Sequence, residues 1–120
     1  MSKELKARTK VFAHRCVKLA LSLPNHTLGN HIKGQLIRCS TSTAANYRAA
    51  CVAISTKSFV AKLSISIEEV DECEFWMQFA VDESLINLNM SEALIKESKE
   101  LTAIFITSRK TVQKNMKNSE

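Results

Sequence analysis

Arg38-Cys39-Ser40-Thr41-Ser42-Thr43-Ala44-Ala45-Asn46-Tyr47-Arg48-Ala49-Ala50-Cys51 is the stretch on which the fold reading turns. It contains neither Gly nor Pro, and small side chains fill most of it. Cys39, Thr43, Asn46 and Ala50 recur at the three- and four-residue spacing of one helix face. Small residues along a helix let a neighbouring helix approach closely. Ser and Thr are middling helix formers, so a boundary or kink is expected near Ser40 to Ser42, with helix resuming in the Ala-rich part. Followed outwards, the stripe runs back through Leu36, Ile32 and Leu28 and forward to Ile54. This predicts a helix over about residues 28–55, with Gly29 and Gly34 weakening its first turns.

The flanking segments carry the same period. Leu5, Phe12, Cys16, Leu19 and Leu23 define a helix over about residues 2–23, which Pro24 stops. Thr27 is the expected cap of the helix that follows. Phe59, Leu63, Ile67, Val70, Met77 and Val81 predict a third helix over about 57–82. Leu94, Leu101, Phe105 and Val112 predict a fourth over about 91–114, capped by Asn89 or Ser91, with fraying from Asn115 to Glu120. Short connections make sequential helices antiparallel. The expected fold is therefore all-α, an antiparallel up-down-up-down four-helix bundle in a single domain over residues 1–120.

Three Gly and Pro residues in 120 are too few for a hairpin-rich β fold. No apolar run approaches the roughly 20 residues that cross a bilayer, and no cleavage pattern follows Pro24. The four cysteines lie far apart in apolar or small-residue segments, without a C-x-x-C pair, and read as buried reduced thiols. A cytoplasmic protein without membrane contact is expected. The net charge of +5 conceals an asymmetry. Residues 1–62 hold eleven Lys and Arg against Glu4 alone, a surplus of ten, whereas residues 63–120 hold six against eleven acids, a deficit of five. Glu68, Glu69, Asp71, Glu72, Glu74, Asp82 and Glu83 accumulate where no Lys or Arg occurs, and Arg109, Lys110, Lys114 and Lys117 close the chain. Such a pattern suits either a polyanion-binding face or complementary faces that dock between subunits.

Little in the chain resembles a reaction centre. His14, His26 and His31 lack partner acids at the spacing of a metal or general-base motif, and two glycines cannot build a phosphate-cradling loop. Glu68, Glu69 and Glu72 share a helix face but have no inward acids on the second helix to join them, so a solvated or docking face is expected. The chain is read as a non-enzyme with no catalytic residues, cofactor or metal. Phe75, Trp76 and Phe79 form an aromatic patch for which partial burial against the fourth helix is expected, with a ring left outside the monomer core as a subunit contact as the alternative. Lys3, Lys6, Lys10, Arg15 and Lys18 on the first helix, with Lys33, Arg38 and Arg48 on the second, are the candidate nucleic-acid contacts, able to neutralise phosphates without reading bases.

The opening stretch resembles the R-S-x-T-S-x-G-A-N-Y-x-E-A signature of the bacterial 23S rRNA intervening-sequence protein family. Lys57-Ser58-Phe59 with Lys62-Leu63, Glu74-Phe75-Trp76, and Ser84-Leu85-Ile86 with Leu94-Ile95-Lys96-Glu97 look like the same family, in the same order. The resemblance implies a four-helix bundle without enzymatic activity, a homo-oligomer in the form of a five-membered ring, and an electropositive cleft that binds RNA or DNA. A related group assists reverse transcriptases, which implies a protein partner as the alternative. Two positions depart from the signature: its glycine is Ala44 and its glutamate is Ala49. Losing that acid leaves the surface around Arg48 more positive. Asn46 and Arg48 match the motif, and Asn46, Tyr47 and Trp76 are the expected oligomer-forming residues, with a buried register-fixing role as the alternative for Asn46.

Overall fold

Alternating apolar and polar faces in four successive segments leave the chain one economical way to hide its apolar stripes, which is to turn them toward a common axis. The computed structural model describes residues 2–119 and does so: α1 spans Ser2–Leu21, α2 Thr27–Cys51, α3 Thr56–Asp82 and α4 Leu88–Ser119. Each helix packs on its sequential neighbours, α1 closes on α4, and the rod measures 53 × 22 × 20 Å. The protein is an all-α four-helix bundle.

The core runs the length of the rod through Phe12, Cys16 and Leu19, Ile32, Leu36 and Cys39, Leu63, Val70, Cys73 and Met77, and Leu94, Leu101 and Phe105. Between these sit fully buried hydroxyls. Thr9, Ser40, Thr43 and Ser98 donate to carbonyls of their own helices, whereas Ser66 of α3 donates 3.1 Å to the carbonyl of Thr43 on α2. Small side chains thus bring α2 and α3 close enough for a side chain of one to reach the backbone of the other. Helix α2 is continuous through Ser40 to Ser42, because the Ser40 and Thr41 hydroxyls donate back to the Ile37 carbonyl without breaking the ladder. Cys73 donates to Cys39 across the same interface, with the sulfurs 3.2 Å apart, and all four cysteines are free thiols. Their mutual hydrogen bond, then burial, raises the Cys39 thiol far above its ordinary range; Cys73 is raised through its contact with Cys16 and through burial. Both stay protonated and are poor nucleophiles.

The helix ends differ from the sequence expectations in instructive ways. Thr27 is not the cap of α2: His26 is, its Nδ1 accepting from the Gly29 amide at 3.0 Å. Helix α1 stops at Leu21, and α2 at Cys51, so Ile54 stands fully exposed in the corner rather than on the core stripe. Ser55 caps α3 by accepting from Ser58. Asn87, not Asn89 or Ser91, bonds the open amide at the start of α4, that of Met90. Helix α4 continues beyond residue 114 to Ser119.

Two grooves, of about 480 and 340 Å³, open along the α1–α4 seam, and Arg8 bridges it. Its Nε and Nη2 donate to both carboxylate oxygens of Glu97 at 2.7 Å, and Nη2 also reaches Glu100 at 2.8 Å. These bonds hold the Glu97 carboxyl below the usual glutamate range against the opposing effect of burial. A depressed folded-state value stabilises the fold above the ordinary glutamate range and ceases to do so as pH falls through it. Arg8→Ala is therefore expected to lower stability at pH 7 by no more than about 1 kcal/mol, since the Arg8 side chain is 37% exposed. The difference in melting temperature between wild type and variant should shrink as pH drops below about 4. A constant difference from pH 7 to 3 would assign the effect to packing alone.

Candidate nucleic-acid interface

Lys6 and Lys10 lie four residues apart on α1 and share a face. Opposite them the Ala-rich part of α2 offers side chains too short to fill the space between the helices. The result is a groove of about 460 Å³ with Ala7, Ala44, Ala45 and Val52 as its floor and Lys6, Lys10 and Arg48 as its charged rim. The three cations are exposed, and among the described residues no ion pair engages them and no carboxylate lines the groove. Ala44, where the family signature has glycine, is part of the floor. The groove can bind polyanions by cations over an apolar base, and it offers no nucleophile or general base.

The other basic residues divide. Arg15 and Lys18 face a different groove, with Leu19, Ser22, Met90, Ala93 and Leu94, on the α1–α4 seam. Lys3 is exposed on the first turn of α1, and Lys33 is half-buried on α2. Arg38 departs from its expected role as a phosphate contact. Antiparallel packing sets it against two acids of α3, so that Nη1 donates to Glu69 at 2.8 Å and Nη2 to Glu72. Glu72 also accepts from Trp76 Nε1 at 3.0 Å. Burial alone would raise the Glu72 carboxyl, but the bonds from Trp76 and Arg38 outweigh it and lower it. The acidic run of α3 is thus partly a docking face for α2 within the chain.

Of the three expected oligomer-forming residues, one is buried in the core and two are half-buried. Tyr47 is 5% exposed and stacks on Phe105, ring centroids 5.3 Å apart and planes 17° from parallel. It is a core residue, because Ser40, Thr43, Tyr47 and Ala50 form the inward stripe; Asn46, placed there by the sequence reading, is one step of about 100° away. Burial, then a bond with Cys51, pushes the Tyr47 phenol well up. Asn46 is half-buried and donates to the carbonyl and hydroxyl of Ser42, both at 3.0 Å, so it braces its own helix. Trp76 is half-buried, its ring edge-on to His31 at 5.4 Å. The outward aromatics are instead Phe75, 53% exposed, and Phe79, 36% exposed.

Residues that the sequence reading left out of the site also arrive near the groove. The antiparallel topology brings the first turns of α1 and α3 and the last turns of α2 and α4 to one end of the rod. Thr56 and Phe59 of α3 share a cleft with Val112 of α4, and Arg109 donates to Ser64 at 3.2 Å. Lys57, Lys110, Lys114 and Lys117 are exposed there. The up-down-up-down order was itself the signal that placed them at the same end of the rod as Lys6 and Arg48.

A family model for the 23S rRNA-intervening sequence protein matches residues 3–107. Among solved structures, the chain is similar to a protein of unknown function from the S23 ribosomal protein family of Bacteroides thetaiotaomicron VPI-5482. The two are 30% identical, with 88% of this chain and 97% of that one covered and a TM-score of 0.80. No protein of curated function matches.

Proposed function

This chain belongs to the 23S rRNA-intervening sequence protein family, and on that premise we propose that it is a non-catalytic, oligomeric nucleic-acid-binding protein whose ligand is RNA. The observation that carries this reading is the α1–α2 groove, where Lys6, Lys10 and Arg48 stand without carboxylate partners over an apolar floor. Cations so arranged take up phosphates and release counterions, so affinity falls steeply with salt and depends little on sequence. The protonated, buried thiols of Cys39 and Cys73 and the absence of a partner acid beside any histidine in the sequence motifs favour a binding role over a chemical one.

The experiment is a salt series of RNA and DNA binding, with K6Q/K10Q/R48Q beside wild type. Wild type should bind at low salt, and the triple variant should bind more weakly with a log-log salt slope smaller by about 2. Wild-type affinity indifferent to salt, or no binding at low salt, would refute the reading. A second reading, an oligomeric scaffold or adaptor for a protein partner, is favoured by exposed Phe75 and Phe79 beside the acids Asp71 and Glu74. It requires self-association or partner binding without RNA. A monomer by light scattering in that experiment would remove the oligomeric part of both readings.

A further inference from the structure

We propose that the nucleic-acid surface is the basic end of the rod, spread over all four helices, and that it takes an unpaired, single-stranded segment. The inference rests on the nucleic-acid reading above and extends it from one groove to a whole end.

Two banks of cations flank that end. One is the groove rim of Lys6, Lys10 and Arg48 between α1 and α2. The other is Lys110, Lys114 and Lys117, four and three residues apart on one face of α4's last turns, with Lys57 on the first turn of α3. Within residues 2–10, 45–62 and 109–119 the sequence holds one carboxylate, Glu4, while Glu97 and Glu100 of α4 reach in only to pair with Arg8. The exposed acids Asp71, Asp82 and Glu83 belong to the later turns of α3 and its cap, toward the opposite end. The exposed acids of α3 thus lie away from this end, while cations occur along the whole 53 Å axis.

The same end carries the α2–α3 corner, where Val52 is 72% exposed and Ile54 fully exposed. Apolar side chains set among cations decide what form of nucleic acid fits. A duplex turns phosphates and sugars outward and stacks its bases inside, so it satisfies the lysines and leaves Val52 and Ile54 facing charge. An unpaired strand offers phosphates and, between them, free base faces that an aliphatic side chain can cover. Residues 52–55 carry no aromatic ring, so their contact to bases is weak and tolerant of sequence, while Phe59 stands one turn further along α3 in the cleft with Val112. The rod's 22 × 20 Å cross-section suits a short site, toward the lower part of the range of about 4–16 nucleotides that single-strand-binding folds occupy.

The test measures binding of a labelled, unstructured oligouridine and of a blunt RNA duplex of equal length to the full chain, by fluorescence anisotropy over a salt series. The single strand should bind at least about tenfold more tightly at equal salt. K110Q/K114Q/K117Q should lower the single-strand log-log salt slope by about 2, at about 0.7 per lost phosphate contact. Ile54→Ser should weaken single-strand binding severalfold without changing that slope, and leave duplex binding unaltered. All of these positions are exposed, and circular dichroism confirms that each variant is folded. Duplex binding as tight as the single strand, or a wild-type slope in the α4 variant, would overturn the inference while leaving the groove reading intact. An Ile54→Ser effect confined to anionic phosphatidylserine vesicles, or to the oligomeric mass, would likewise overturn it and give the corner to a membrane or to a subunit contact. A wild type that binds neither RNA ends both readings together.

Discussion

Phe105→Ala is expected to destabilise the bundle by about 3–5 kcal/mol, the range for truncating a fully buried phenylalanine. Phe105 is 0% exposed and its ring lies 5.3 Å from that of Tyr47, tilted by 17°. Truncation removes the transfer free energy of the ring, its stacking on Tyr47 and the contacts of the residues that lined it. The space it leaves cannot close readily, because α1, α2 and α3 are held by their own packing around it. Domains of this size have about 5–15 kcal/mol in total, so the variant is expected to be near the margin. Thermal unfolding should show a melting temperature lower by at least about 10 °C, since each kcal/mol shifts it by about 4 °C or a little less at this length. Phe105→Leu, which keeps most of the volume, should lose under about 1.5 kcal/mol. A loss under 1 kcal/mol for the alanine variant would contradict a packed Tyr47–Phe105 stack.

The two glycines of α2 should respond in opposite directions to the same substitution. An alanine Cβ at Gly29 would stand 2.0 Å from the carbonyl oxygen of Pro24 and 3.3 Å from the His26 ring. The obstructing atom is backbone, so the α1–α2 turn would have to open, and with it the bond from the Gly29 amide to His26 Nδ1 that caps the helix. Overpacking of this kind costs about 1–3 kcal/mol, and loss of a cap about 1 more. Against this, alanine returns about 1 kcal/mol of helix propensity. A net loss of about 1–3 kcal/mol is expected for Gly29→Ala. At Gly34 a Cβ meets nothing within 4 Å. Gly34→Ala should therefore raise stability by about 0.5–1 kcal/mol, from propensity and a less flexible unfolded chain. Denaturant unfolding of both variants checks the pair, and equal effects would refute the close approach at Pro24.

Much of the architecture was legible because helix periodicity is a local property. Phe12, Cys16, Leu19, Leu36, Leu63, Val70, Leu101 and Phe105 lie on stripes that any straight helix presents as one face, and each is buried. The misassigned positions share a cause, since a stripe of small polar residues lacks contrast. Between Ser40 and Ala50 the three- and four-residue spacing from Thr43 to Ala50 admits either Asn46 or Tyr47, and the stack on Phe105 shows that the tyrosine takes the inward place. The buried hydroxyls of Ser66, Ser91 and Ser98 were invisible for the same reason. Caps were harder still. His26 and Asn87 act through single side-chain bonds that depend on how the turn is folded, which residue type alone does not reveal.

The candidate site was legible as a charge surplus and not as a surface. Counting Lys and Arg in residues 1–62 gave eight candidate cations, of which Lys6, Lys10 and Arg48 line the α1–α2 groove. It also included Arg38, whose charge is taken up by Glu69 and Glu72, and it omitted the cations of α4 that share an end with the groove. Sequence by itself determined the four helices, their apolar stripes and the surplus of ten positive charges in the first half, because each follows from spacing or composition along one segment. Only the tertiary structure decided which charges meet a partner and which remain in water, which glycine touches backbone and which touches nothing, and which apolar residues, Val52 and Ile54 among them, lie outside. Those outcomes depend on residues far apart in the chain, whose separation becomes a few ångströms once antiparallel helices are packed side by side.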